Sequence, residues 1–83
     1  MKTTSIYKIK EWLLKGMNKG AKYVIIATDT FDHSDYPIYC YTRREVIEEI
    51  AKVKTAKMQK IMEVYNLLQD ITAQLSEYRA YHI

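Results

Sequence analysis

Residues 22–44, KYVIIATDTFDHSDYPIYCYTRR, decide how the rest of the chain must be arranged. Tyr23 to Ala27 is an unbroken apolar, β-branched and aromatic run, and Ile38-Tyr39-Cys40-Tyr41 is a second. Both have the length of strands and are too short for independent helices. The first run has no polar alternation, the pattern of a strand covered on both faces. Between the runs lies a ten-residue acidic and aromatic loop with Asp29, Asp32, His33 and Asp35. The only proline, Pro37, biases Tyr36 toward extended backbone. A lone hairpin is marginal in water, so the flanking segments are expected to be helices that cover it.

Upstream, Thr3, Thr4 and Ser5 offer N-caps for a helix over 5–19. Ile6, Ile9, Leu13 and Met17 form its apolar stripe, and Gly20 suits a left-handed residue after the last turn. Downstream, Thr42-Arg43-Arg44-Glu45 is a capping box that opens a helix over 43–54. Its expected buried stripe is Val46, Ile47, Ile50 and Val53. Residues 56–81 contain neither Gly nor Pro, and Met58, Ile61, Tyr65, Leu68, Thr72 and Leu75 recur at alternating three and four. That spacing predicts one long helix of ~39 Å, against a domain diameter of roughly 30 Å. A helix longer than its own domain predicts an interface with a second copy through Tyr65, Leu68, Ile71, Leu75 and Tyr78. His82, next to the chain end, is expected to fray.

The expected fold is therefore α+β, a single domain over 1–83. Its order is helix, two-stranded antiparallel hairpin, helix and long C-terminal helix. Two strands leave both sheet edges open, and open edges pair with other chains. A homodimer or higher homo-oligomer is expected from the edges and the long helix.

Composition narrows the function classes. Nearly half of the 83 residues are hydrophobic, which supports a folded core, and the net charge is a mild +3. Lysines and arginines are interspersed with glutamates, so a nucleic-acid partner is not expected. The lone cysteine, Cys40, cannot form an internal disulfide, and its apolar neighbours predict a buried thiol in a reducing compartment. No apolar run reaches the ~18–20 residues of a membrane span, and no signal peptide is recognised. A soluble protein without membrane contact is the expectation.

Residues 22–42 and 58–83 resemble a family of small, uncharacterised proteins of bacteriophage and prophage genomes. The likeness is carried by Gly20-Ala21, by Asp29-Thr30-Phe31-Asp32 with Asp35-Tyr36-Pro37, and by Met58 to Tyr65, MQKIMEVY. The ending from Gln74-Leu75 to Arg79-Ala80 is also similar. The resemblance implies a phage accessory protein acting in the host bacterial cytoplasm, and it implies no particular activity.

Several residues carry enough chemistry to be weighed individually. Asp29, Asp32, His33 and Asp35 crowd oxygen ligands suited to hard cations, but the spacing lacks the glycine and distal glutamate of a calcium loop. Aspartates in this setting more commonly form turns, so no metal is expected. No nucleophile motif or phosphate-cradling glycine loop is present, and neither catalysis nor a cofactor is expected. Arg43 and Arg44 stand in the first turn of a helix, with Tyr36, Tyr39 and Tyr41 just before them. Two guanidiniums and free helix amides could hold a phosphate while a tyrosine stacks on a base. The plainer reading pairs Arg44 with Glu48 and packs the tyrosines on the sheet.

Together these features predict a binding protein, not an enzyme. As a phage accessory it is expected to neutralise a host defence component. Two routes stay open: sequestering a cyclic or phosphorylated nucleotide, or direct inhibition of a defence protein. A structural or virion-assembly role is the alternative.

Overall fold

The computed structural model describes residues 5–77 and 79–83. Helix α1 spans Ile6–Lys19, and strands β1 and β2 span Tyr23–Asp29 and Ser34–Cys40. Helix α2 spans Arg43–Thr55, strand β3 Gln59–Asn66, and a short helix α3 Ile71–Leu75. The sheet order is β2-β1-β3, with β1 antiparallel to both neighbours. β2 and β3 therefore run the same way, and α2 crosses between them over one face of the sheet.

Local chemistry explains the helix boundaries. The Ser5 side chain accepts from the Lys8 amide, and Gly20 adopts φ 83, a left-handed conformation that costs glycine little. At α2, Thr42 Oγ1 accepts from the Glu45 amide at 3.1 Å, and Glu45 Oε1 accepts from the Tyr41 amide at 2.6 Å. That is the reciprocal capping box. At α3, Asp70 Oδ1 accepts from the Thr72 amide at 2.9 Å.

β1 is the centre of the molecule, and its first five residues are buried. Val24 and Ile26 pack with Ile9, Leu13, Tyr65 and Leu67 on the side covered by α1 and α3. Tyr23 and Ile25 pack with Cys40, Val46, Ile50 and Val64 on the side covered by α2. The absence of polar alternation in β1 reflects this double cover. Gly16 is where α1 comes closest to the sheet: a Cβ there would lie 3.0 Å from Val24, 3.1 Å from Tyr39 and 3.2 Å from Leu67.

The long C-terminal helix expected from the sequence does not form. Gln59–Asn66 is β3, and among the described residues after it only Ile71–Leu75 is α-helical. The principal extents of the molecule are 31 × 28 × 21 Å, so a helix of ~39 Å would have projected from it. The chain instead uses Gln59–Asn66 to fill the second edge of β1, satisfying backbone groups that a hairpin alone would leave open. Tertiary pairing overrides local helical spacing here.

The interface expected on that helix disappears with it. Tyr65 is only 1% exposed, within the core. Ile71 and Leu75 pack against the α1 cluster. Leu68 is 68% exposed, in the turn after β3. Tyr78 lies outside the described residues.

Smaller corrections follow the same logic. Ile6, Met17 and Ile47, expected in buried stripes, are exposed. At 100° per residue each lies at the border of the stripe set by the buried Ile9, Leu13 and Gly16 in α1 or Val46, Ile50 and Val53 in α2. His82 does not fray: its amide donates to Val64 O at 2.9 Å while Val64 N donates to Ala80 O. This parallel bridge covers one end of the outer edge of β3. No helix among the described residues is long and apolar enough to cross a membrane.

Cys40 is 1% exposed. Burial, then the carboxylates of Glu49 and Glu45, push its thiol from an ordinary 9.0 up to about 11. A rise of that size leaves about 100-fold less thiolate at pH 8. Maleimide labelling of the native protein at pH 8 is expected to be at least about 100-fold slower than labelling in denaturant. Equal rates in the two states would contradict this placement.

Candidate functional site

The expected ten-residue loop is a tight four-residue connection, Thr30 to His33, because β1 and β2 extend to Asp29 and Ser34. The aspartates build it. Asp29 Oδ1 accepts from the Phe31 amide at 2.8 Å, and Asp29 O accepts from the His33 amide at 2.8 Å. Asp32 Oδ1 accepts from the Ser34 amide at 3.0 Å and from its hydroxyl at 2.6 Å. These bonds, the hydroxyl first, hold the Asp32 carboxyl below its usual range. The Thr28 hydroxyl donates to Asp35 across the register pair that joins β1 to β2. His33 closes the turn at φ 60. Three carboxylates are thereby engaged in the hairpin, which points Phe31 outward at 77% exposure.

The tyrosines are divided between the two faces of the sheet. Tyr39 turns toward α1, where Lys19 Nζ lies 5.2 Å from its ring centroid. Tyr36 lies opposite Ala27 on the α2 side. Its hydroxyl is enclosed and has no hydrogen-bond partner among the described residues. Burial first, then Asp29 and Glu49, raise its pKa. A buried, unpaired hydroxyl costs roughly 1–3 kcal/mol. Tyr36→Phe is accordingly expected to leave the melting temperature unchanged or to raise it, and a clear fall would reveal an additional bond to the hydroxyl.

Arg43 and Arg44 are exposed at the start of α2. Arg44 Nε stands 3.6 Å from Glu48 Oε2, the plainer of the two roles expected for it. Two of the backbone amides that an anion would seek near this helix start are already bonded, Glu45 N to Thr42 and Tyr41 N to Glu45. Tyr39 packs against the α1 cluster and also lines a groove with Tyr41.

What does form beside these residues is a shallow acidic groove of about 410 Å³ between the end of β2 and the first turns of α2. It is lined by Tyr39, Cys40, Tyr41, Glu45, Glu48 and Glu49. Glu49 also meets Lys52 Nζ at 3.5 Å. Such partly exposed pairs contribute little and exchange readily for other partners. The raised pKa values of both Cys40 and Tyr36 include a contribution from Glu49, evidence of a negative field along this edge.

The sequence reading placed Glu45 in the capping box and Glu48 beside Arg44 but missed that they line one groove with Glu49. Their signal was present as carboxylates at i, i+3 and i+4 flanking the buried Val46 and Ile50. Groove and hairpin tip share β2, whose outer edge has no neighbouring strand among the described residues. Pro37 sits in this edge strand, where the loss of an N–H is tolerated. The hairpin tip, with Asp29, Phe31, Asp32 and Asp35, and the groove, with Tyr41, Glu45, Glu48 and Glu49, thus lie at the two ends of β2.

No protein-family profile, curated protein or solved structure matches this chain. The likeness to phage-encoded proteins therefore rests on the sequence segments alone.

Proposed function

We propose that the protein is a phage accessory binding module that disables a bacterial host defence component by docking its acidic β2 edge onto a basic surface of a defence protein. The observation that supports this reading is a pair of carboxylate clusters at the two ends of β2, one at the hairpin tip and one in the α2 groove, with Phe31 exposed at the first and Tyr41 at the second. Exposed aromatics supply contact area at low entropic cost, and the carboxylates supply steering and specificity. Inhibition of this kind requires stoichiometric binding and no turnover. The phage origin comes from the sequence resemblance, and the defence context from the fit of a small, cofactor-free binder to stoichiometric inhibition.

Of the two routes left open by the sequence, nucleotide capture is less well supported. Three glutamates adjoin Arg43 and Arg44, and a phosphate would meet their field. The test is affinity capture from defence-active host lysate with wild-type bait and two variants. The triple change Phe31→Ala/Tyr41→Ala/Glu48→Lys is expected to lose a stoichiometric protein partner that Arg43→Ala/Arg44→Ala retains. Release of a nucleotide that is lost in the arginine variant would reverse the choice. Recovery of the protein only in purified virions would favour an assembly role.

A further inference from the structure

A second concave surface lies at the opposite edge of the sheet, between α2 and β3, with a volume of about 390 Å³. Its floor is apolar: Ile50 and Val53 from α2, Ile61 from β3, and Tyr81 from the C-terminal segment. Its rim is basic, with Lys54 at the last turn of α2 and Lys60 on β3. Residues 50–62 include Lys52, Lys54, Lys57 and Lys60 and no acidic residue, while Asp29 stands opposite Gln59 in the sheet register. Beside it runs the outer edge of β3. The C-terminal segment pairs with that edge only at Val64, leaving 59–62 without a second neighbouring strand among the described residues.

We propose that this groove receives an extended acidic segment of a partner protein, added as a strand to the open end of β3. Three observations converge on that occupant. The β3 edge already makes one bridge to extended chain, since Val64 bonds Ala80 and His82 at 2.9 Å each. Main-chain bonds supply affinity in such additions, and alternate side chains supply specificity. The apolar floor receives apolar side chains of the added strand, and Lys54 and Lys60 at the rim meet its carboxylates. Nucleic acid fits less well, because among the described residues no arginine lines the groove and Tyr81 offers the only ring for base stacking. This surface is separate from the acidic β2 edge and does not depend on the function proposed for it.

The experiment is fluorescence anisotropy with a labelled octapeptide alternating glutamate and valine, paired with backbone amide exchange. Saturable binding is expected, weakened by roughly 10-fold or more in Lys54→Glu/Lys60→Glu and to a lesser degree in Lys54→Gln/Lys60→Gln. Both lysines are exposed, so the variants should keep the fold, as circular dichroism would verify. Exchange at the amides of 60–62 should slow when the peptide saturates. Equal binding of a lysine–valine octapeptide would overturn the proposal, as would tighter binding of a single-stranded DNA oligonucleotide. Binding without slowed exchange would exclude strand addition. A doubling of mass without peptide, abolished by the lysine changes, would assign the groove to a second copy of the chain instead.

Discussion

Gln74→Leu is expected to destabilise the domain by roughly 2–5 kcal/mol, since it strands several buried backbone groups at once. Gln74 is 2% exposed, one of two buried polar residues among those described. Its Oε1 accepts from Asn66 N at 2.8 Å, and its Nε2 donates to Asn66 O at 2.8 Å and to Asp70 O at 3.2 Å. This side-chain amide acts as a surrogate strand at the end of β3, pairing both main-chain groups of Asn66. Leucine has a similar volume but no polar atoms, so the cavity term is small and the unsatisfied groups dominate. A domain of this size has a total stability on the order of 4–12 kcal/mol. Chemical denaturation should show a midpoint shift of that scale, with Gln69→Leu, an exposed site, within about 0.5 kcal/mol of wild type. Equal, small effects at both positions would show that the Gln74 amide does not hold the end of β3.

Leu13→Ala is expected to lose a comparable amount, about 2–5 kcal/mol, by a different mechanism. Leu13 is fully buried in the cluster that joins α1 to Val24, Ile26 and Tyr65. Shortening it removes apolar contacts and leaves a cavity that neighbours on the rigid sheet cannot close. For a chain of this length each kcal/mol shifts the melting temperature by roughly 4–8 °C, so a fall of about 10 °C or more should be seen. Leu14→Ala, on the exposed side of the same helix, provides the comparison. Similar falls in the two variants would contradict the assignment of the helix faces.

These two residues illustrate what the sequence makes legible. The α1 face around Ile9 and Leu13, the caps at Ser5 and Thr42, and the stop at Gly20 follow from local chemistry that acts within a few residues. The turn-forming work of Asp29 and Asp32 is legible for the same reason. β3 is not, and a bulge explains why. The register between β1 and β3 shifts between Ile26 and Ala27, so Met62 is inserted between Ile61 and Glu63. Ile61 and Val64 face α2, while Met62 and Tyr65 face α1. Apolar residues at 61, 62, 64 and 65 therefore carry three- and four-residue spacings although the backbone is extended. The inserted residue makes a strand look like a helix. Gln74 was equally hidden, since a buried glutamine in a short helix has no signature apart from the strand end it serves. The acidic groove needed the fold as well, because only the hairpin register brings the end of β2 beside Glu45, Glu48 and Glu49.

The most direct test of the central claim, that the acidic β2 edge disables host defence, is phage plating on defence-active bacteria that express this protein. Wild-type protein should restore plating, and Arg43→Ala/Arg44→Ala should restore it equally. Phe31→Ala/Tyr41→Ala/Glu48→Lys, present at the same level and folded, should leave plating at the defended value. Restoration that survives the triple change but is lost in the arginine variant would contradict the claim, as would wild-type protein that restores plating in no defended host.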